Sequence, residues 1–148
     1  MKVVVQNRRA RHDYEILDRF EAGLVLQGSE IKSLREGRAA LKDSYAQVKD
    51  GEVWLVGAHI APYSFARGGG HEPDRTRKLL LNRREIDRIA GKLAEKGLTL
   101  VPLQIYLSEG RAKIELGLAR GKRTLDKREA IREREQEREA ERAARRRR

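Results

Sequence analysis

The chain has 148 residues, the length of one domain, and carries 34 lysines and arginines against 23 acids for a formal net charge of +11. That balance makes a polyanion, nucleic acid first, the leading partner class. The absence of cysteine excludes a disulfide framework and a thiolate metal site, and no apolar run reads as a signal peptide or a membrane span, so a cytoplasmic location is expected.

In chain order, Val3 to Val5 is a short strand or a frayed end. Asn7 to His12 is too polar for a strand and short for a helix. Tyr14 to Gln27 reads as a strand with Ile16, Phe20, Leu24 and Leu26 as its apolar positions, and Gly23 marks a bend or bulge. Ser29 offers an N-cap for a short helix from Glu30 to about Glu36, which Gly37 stops. Ser44 to Lys49 and Val53 to Ile60 form a hairpin about Asp50-Gly51, a type I′ signature, and Pro62 ends it. Ser64 to Asp74, with Gly68-Gly69-Gly70 and Pro73, is a flexible loop. Arg75 to Leu81 turns from basic to apolar and is read as helical. Asn82 and Glu85 complete a capping box ahead of Ile86, Ile89, Ala90 and Leu93 at helical spacing, with Gly97 as the stop. Thr99 to Leu107 and Lys113 to Ala119 alternate about the turn at 108–111. Leu103, Ile105 and Leu107 are expected on one face, and Ile114, Leu116 and Leu118 on another.

These elements sum to about six short strands, mostly hairpin-linked, with two or three helices. Alternation with one polar side favours an antiparallel sheet that closes on itself, and a small barrel suits residues 1–120 because it leaves no open edge. An α+β sandwich is the alternative. Residues 121–148 form a separate basic tail.

Catalytic chemistry is poorly represented. His12-Asp13 is a possible acid/base pair without a nucleophile near it in sequence, and a solvated ion pair explains it as well. His71-Glu72-Pro73-Asp74 lacks ligand spacing from a regular element, so no metal is expected. The glycine triplet lacks the Gly-Lys-Ser/Thr ending of a phosphate loop. No cofactor is implied, and the chain is not read as an enzyme. Binding chemistry is richer. Arg8, Arg9 and Arg11 crowd beside His12, Lys32 and Arg35 sit three apart on a short helix, and Arg75, Arg77 and Lys78 precede three leucines, of which one should be exposed. Few aromatics argue for recognition of folded RNA by shape and phosphate over a stacking platform spread along strands.

The tail carries net +5 with almost nothing to bury. In a helix, Arg134, Arg138 and Arg142 form a stripe, while Glu129, Glu133, Glu137 and Glu141 stack like charge at i,i+4. Such a segment is expected to be helical only against a polyanion. It has no Trp, Phe or leucine-rich face to insert into a membrane.

NRRARHDY (7–14), FEAGLVLQGSEIKSLREGRAALKDSY (20–45), DRTRKLLLNRREID (74–87), TLVPLQIYL (99–107) and LGLARGKRTLDKREAI (116–131), in this order, closely resemble the SsrA-binding protein family, small protein B. The resemblance implies a mainly β fold, a closed antiparallel barrel of oligonucleotide-binding type with two to three flanking helices. It implies a non-enzymatic RNA-binding protein of trans-translation. Such a protein holds the tRNA-like domain of transfer-messenger RNA and brings it to stalled ribosomes, with the 16S rRNA, the A site and the messenger channel as further contacts. Elongation factor Tu and alanyl-tRNA synthetase would be met through the RNA, no membrane is involved, and a monomer is expected. Carried over by position, Asn7, Arg8, Arg11, His12, Glu21, Lys32 and Arg35 would lie on or beside the RNA-binding face. Arg75, Arg77, Lys78 and Leu80 would extend that face or its support. Gly121, Lys122, Arg123, Asp126, Lys127 and Arg128 would be the decoding-centre contact of the tail.

Overall fold

The computed structural model describes residues 1–63, 65, 70–95, 97–122, 138 and 142. Of the tail, Lys122, Arg138 and Arg142 are helical and exposed. Arg123, Asp126, Lys127 and Arg128 lie outside the described residues, as does most of the loop over 64–69.

Nine strands and three helices follow one another among the described residues: β1 Lys2–Gln6, α1 Arg8–Asp13, β2 Tyr14–Leu24, α2 Gly28–Arg35, β3 Ala39–Ala40, β4 Tyr45–Lys49, β5 Glu52–Val56, β6 His59–Ile60, β7 Arg77–Leu80, α3 Arg83–Leu93, β8 Leu98–Ser108 and β9 Arg111–Gly121. The large sheet is antiparallel in the order β1-β8-β4-β5-β7-β2-β9, and β9 returns to β8. The sheet thus closes partly into a ring. Its weakest joint is β4 to β8, where Ala46 opposite Leu100 is the one register pair. The mainly β barrel expected from alternation is present, flanked by three helices. β3 and β6 form a separate two-stranded ribbon.

Two of the turns follow their sequence signatures. Asp50 and Gly51 both take positive φ, at 54° and 73°, and Glu109 and Gly110 do the same between β8 and β9. The interior is filled by inward residues of the strands, among them Phe20, Val53, Leu55, Leu79, Ile114 and Leu116. Ile86 and Ile89 of α3 and Leu34 of α2 pack against the same core. α3 begins as expected: Asn82 Oδ1 accepts from the Glu85 amide at 2.9 Å, and Glu85 returns to the Asn82 amide.

Five local expectations are corrected. Arg75 to Leu81 is not a helix but contains β7, in which Arg77 and Leu79 point inward while Lys78 is half-buried and Leu80 exposed. A buried arginine disguised the period-2 pattern. The irregularity in β2 falls between Ile16 and Asp18, not at Gly23. At Gly23 the strand meets both β9 and β7, and Leu80 Cβ comes to 3.3 Å of where a Cβ would stand. α2 is capped by Gln27 with Glu30 at N3, not by Ser29. Leu103 does not share a face with Ile105. A bulge between Pro102 and Gln104 shifts the register, so Leu103 faces outward with Val101 under α1, in a second small core with Ala10 and Ala119. Proline fits that place because it has no N–H to give a ladder. Finally, the 71–74 end of the long loop is pinned: His71 is buried, and the Ile60 amide of β6 donates to the Pro73 carbonyl.

Candidate nucleic-acid interface

α1 owes its place to Asn7. This side chain is only 8% exposed and uses both ends. Its Oδ1 accepts from the Ala10 amide at 3.1 Å, capping the helix. Its Nδ2 donates to the Pro102 carbonyl at 2.9 Å, and its own amide donates to the Leu103 carbonyl at 2.8 Å. The bulge in β8 thus supplies the acceptors that hold the start of α1. Ala10 then seals the small outer core, and Arg8, Arg9, Arg11 and His12 are left exposed. Arg9 reaches Asp13 at 3.4 Å, and His12 Nδ1 lies 3.0 Å from the same carboxylate. No ion pair among the described residues engages Arg8 or Arg11. Asn7 is therefore a support that aims the cations. His12, 81% exposed, rests beside an acid that is itself already paired.

At the other end of β2 lies Glu21, on the outer face. Its carboxylate is 3.8 Å from Lys113 Nζ, and it receives a hydrogen bond from the hydroxyl of Tyr106. Burial, then this bond, raise the Tyr106 hydroxyl pKa, so the phenol stays a donor. Glu21 is held by a cation and a phenol with acceptor capacity to spare, which suits it to take an N–H or 2′-hydroxyl from a ligand. Lys113 also lines a cleft of about 390 Å³ with Leu80, Gly23, Ile31 and Arg111. Leu80 is 54% exposed there. Glu21 and Leu80, far apart in sequence, are thus brought together around Gly23 and Lys113. Ile31 brings α2 to the same cleft, and Lys32 and Arg35 are exposed on that helix.

The third cluster splits. Arg77 is fully buried, and its Nε donates to Glu30 Oε2 at 2.5 Å. Its Nη1 and Nη2 donate to the carbonyls of Ala58, at 2.7 Å, and Pro73, at 2.9 Å. Arg75 binds the other oxygen of Glu30, which also accepts from the Gln27 amide at 2.8 Å. Burial raises the Glu30 pKa, but the bonds from Arg75, Gln27 and Arg77 outweigh it and leave the carboxyl below its ordinary value. Burial lowers that of Arg77, against the pull of Glu30. Of the residues expected here, Arg77 is support and cannot meet a ligand, Arg75 is mostly committed to Glu30, and Lys78 lies 3.9 Å from Glu52. Glu30 carries no mark of a buried charge in the sequence. The signal was the Gln27-x-x-Glu30 capping box, hidden by the more conventional serine beside it. His71 Nε2 donates to the Ile60 carbonyl at 2.9 Å while its Nδ1 is 2.8 Å from Ser29 Oγ, tying the loop to α2.

The tail leaves the body beside α1. Gly121 is the last residue of β9, opposite Tyr14, and Lys122 follows it, exposed. β9 therefore runs one residue past the boundary expected at 120. From Tyr14 to Glu21 the strand covers seven steps, roughly 20 Å at the usual rise. The two groups of outward polar residues are thus separated by a distance that an RNA arm, not a mononucleotide, would bridge. Among the described residues no three acids, histidines or cysteines come together to hold a metal, and no helix is long and apolar enough to cross a membrane.

Comparison with known proteins finds relatives along nearly the whole chain. The family model described as SmpB protein matches residues 4–146. The SsrA-binding protein of Syntrophobacter fumaroxidans is 56% identical over 147 residues, covering 99% of this chain and 91% of that one. That of Thermobifida fusca is 59% identical over 147 residues, covering 99% and 92%. A solved structure described as "tmRNA-SmpB: a journey to the center of the bacterial ribosome" superposes with a TM-score of 0.68 at 54% identity, covering 79% of this chain and 82% of that one. The chain belongs to the SsrA-binding protein (SmpB) family.

Proposed function

We propose that this chain binds the tRNA-like domain of a transfer-messenger RNA and delivers it to ribosomes stalled without a stop codon. The observation that carries the reading is the distribution of outward groups: Arg8, Arg11 and His12 at one end of β2, and Glu21 with Lys113 and the exposed Leu80 toward the other, where α2, which carries the exposed Lys32 and Arg35, reaches the same cleft through Ile31. A basic ligand surface of that span with one held acceptor suits a folded RNA arm, read by shape, phosphates and a few donors. Residues 1–120 act as the RNA-binding body. Gly121 to Arg128 contact the decoding centre, and the rest of the tail becomes helical along the empty messenger channel. The protein acts as a cytoplasmic monomer without catalysis, and meets elongation factor Tu and alanyl-tRNA synthetase only through the RNA.

The test removes residues 123–148 and leaves β9 whole. The truncated chain should bind the tRNA-like RNA within about twofold of the full chain yet support no peptide tagging on stalled ribosomes in a reconstituted system. Full tagging by the truncated chain would remove the tail from the mechanism.

A further inference from the structure

Only two phenylalanines occur in the chain. Phe20 is buried in the barrel, while Phe65 is 79% exposed. A lone exposed apolar side chain needs no explanation, but Phe65 is not alone. Its ring stands edge-on to that of Tyr63, with centroids 5.7 Å apart and planes at 68°. Lys32 Nζ lies 5.5 Å from the centre of the Tyr63 ring. Tyr63 is thereby braced by a cation and by Phe65, and it is half-buried. Phe65 gains one aromatic partner and keeps most of its surface in water. Arg35 follows Lys32 by three residues on α2 and is exposed, so the two cations share a helix face, from which Lys32 reaches the Tyr63 ring.

A largely exposed ring with one aromatic partner, near a helix that carries two exposed cations, matches a nucleotide in its parts. The base takes the ring, and the flanking phosphates take the cations. We propose that Phe65 is a stacking platform for one unpaired nucleobase of a folded RNA, with Lys32 and Arg35 on the neighbouring phosphates. The inference rests on the RNA-binding reading above and adds to it a single-base contact that shape and charge do not supply. It also qualifies the expectation from composition. Few aromatics argue against a platform spread along strands, yet one ring suffices for one base.

The test uses the full chain and the tRNA-like RNA, with each unpaired pyrimidine replaced in turn by its 5-iodo analogue. Irradiation should join one of these positions to the peptide that contains Phe65, as read by mass spectrometry. Phe65→Ala should weaken binding of the unmodified RNA by roughly 5- to 150-fold. Phe65→Leu, apolar but without a π face, should lose nearly as much, and Phe65→Trp should bind as the parent does. The thermal transition should be the same in all of them, because the side chain is exposed. Parent-like RNA affinity in Phe65→Ala overturns the platform, including the case where ribosome association alone weakens and the ring meets a protein. Full recovery by Phe65→Leu overturns it too, since an apolar contact would then suffice. If the parent itself does not bind the RNA, this inference and the reading it rests on fall together.

Discussion

Removing the Glu30 carboxylate should destabilise the body more than removing any surface acid. Glu30 and Arg77 have side chains at 0% exposure, and Glu30 also holds Arg75 and the Gln27 amide. Breaking a buried pair by deleting one partner costs about 3–5 kcal/mol, because the remaining charge stays buried. Losing the cap at Gln27 adds about 1 kcal/mol. For Glu30→Ala the melting temperature should fall by roughly 10–25 °C, and Glu30→Gln should fall less because an acceptor remains for the amide. The control is Asp18→Ala. Asp18 pairs with Arg88 at 2.7 Å, but the arginine is 63% exposed, so that loss should stay below about 1 kcal/mol. Urea unfolding followed by circular dichroism gives both numbers. The sign with pH is fixed by Glu30 lying below its ordinary 4.5 in the folded chain. Its contribution is complete above that value and fades as pH falls through the lowered folded value. The stability gap between the parent and Glu30→Gln should therefore narrow only below about pH 4.5. A Glu30→Ala loss under 1 kcal/mol, or a gap that does not change in acid, would refute the assignment of this cluster as the support of α2 and β7.

Asn7→Ala should cost about 2–3 kcal/mol, since a cap and buried bonds to the β8 bulge go at once, and should also weaken RNA binding by misplacing α1. A stable variant with weakened binding would show aiming alone; no change in either would contradict the role given to Asn7. Arg8→Ala with Arg11→Ala should lower the slope of log K against log salt by up to about two, and an unchanged slope would mean neither meets a phosphate. Tyr106→Phe removes the donor that holds Glu21 and should reduce RNA affinity several-fold while costing about 1 kcal/mol of stability in urea unfolding. Gly117→Ala should destabilise by about 1–3 kcal/mol in the same assay, because a new Cβ would stand 3.1 Å from Leu103 and 3.2 Å from Ile16.

The sequence was most legible where one periodicity ran unbroken. The two hairpin turns with paired positive φ, the capping box at Asn82 and the exposed third-cluster leucine all follow from local chemistry. It was least legible where tertiary pairing inverted local preference. Arg77 reads as a surface cation, and only Glu30, 47 positions away, makes its burial tolerable; β7 was obscured with it. Alternation misplaces Leu103 because a bulge between Pro102 and Gln104 changes the parity of β8, and the pattern carries no mark of an inserted residue. For the site, resemblance pointed to Asn7, Glu21 and Leu80, which charge counting passes over. The structure separates their roles: Asn7 is buried support, while Glu21 and Leu80 face outward around Gly23. Phe65 carries no signal of its own in the sequence, since its meaning depends on Tyr63 and on Lys32 from a distant helix.

The most direct test of the account is the affinity of the full chain for the isolated tRNA-like RNA, measured across a salt series beside a duplex DNA of equal charge. The account predicts tight binding to the RNA, at least about a hundredfold weaker binding to the DNA at physiological salt, and a preference that persists as salt rises while both affinities fall. Equal affinities that decline together would mean that the surface senses charge alone, and would contradict recognition of a folded RNA arm.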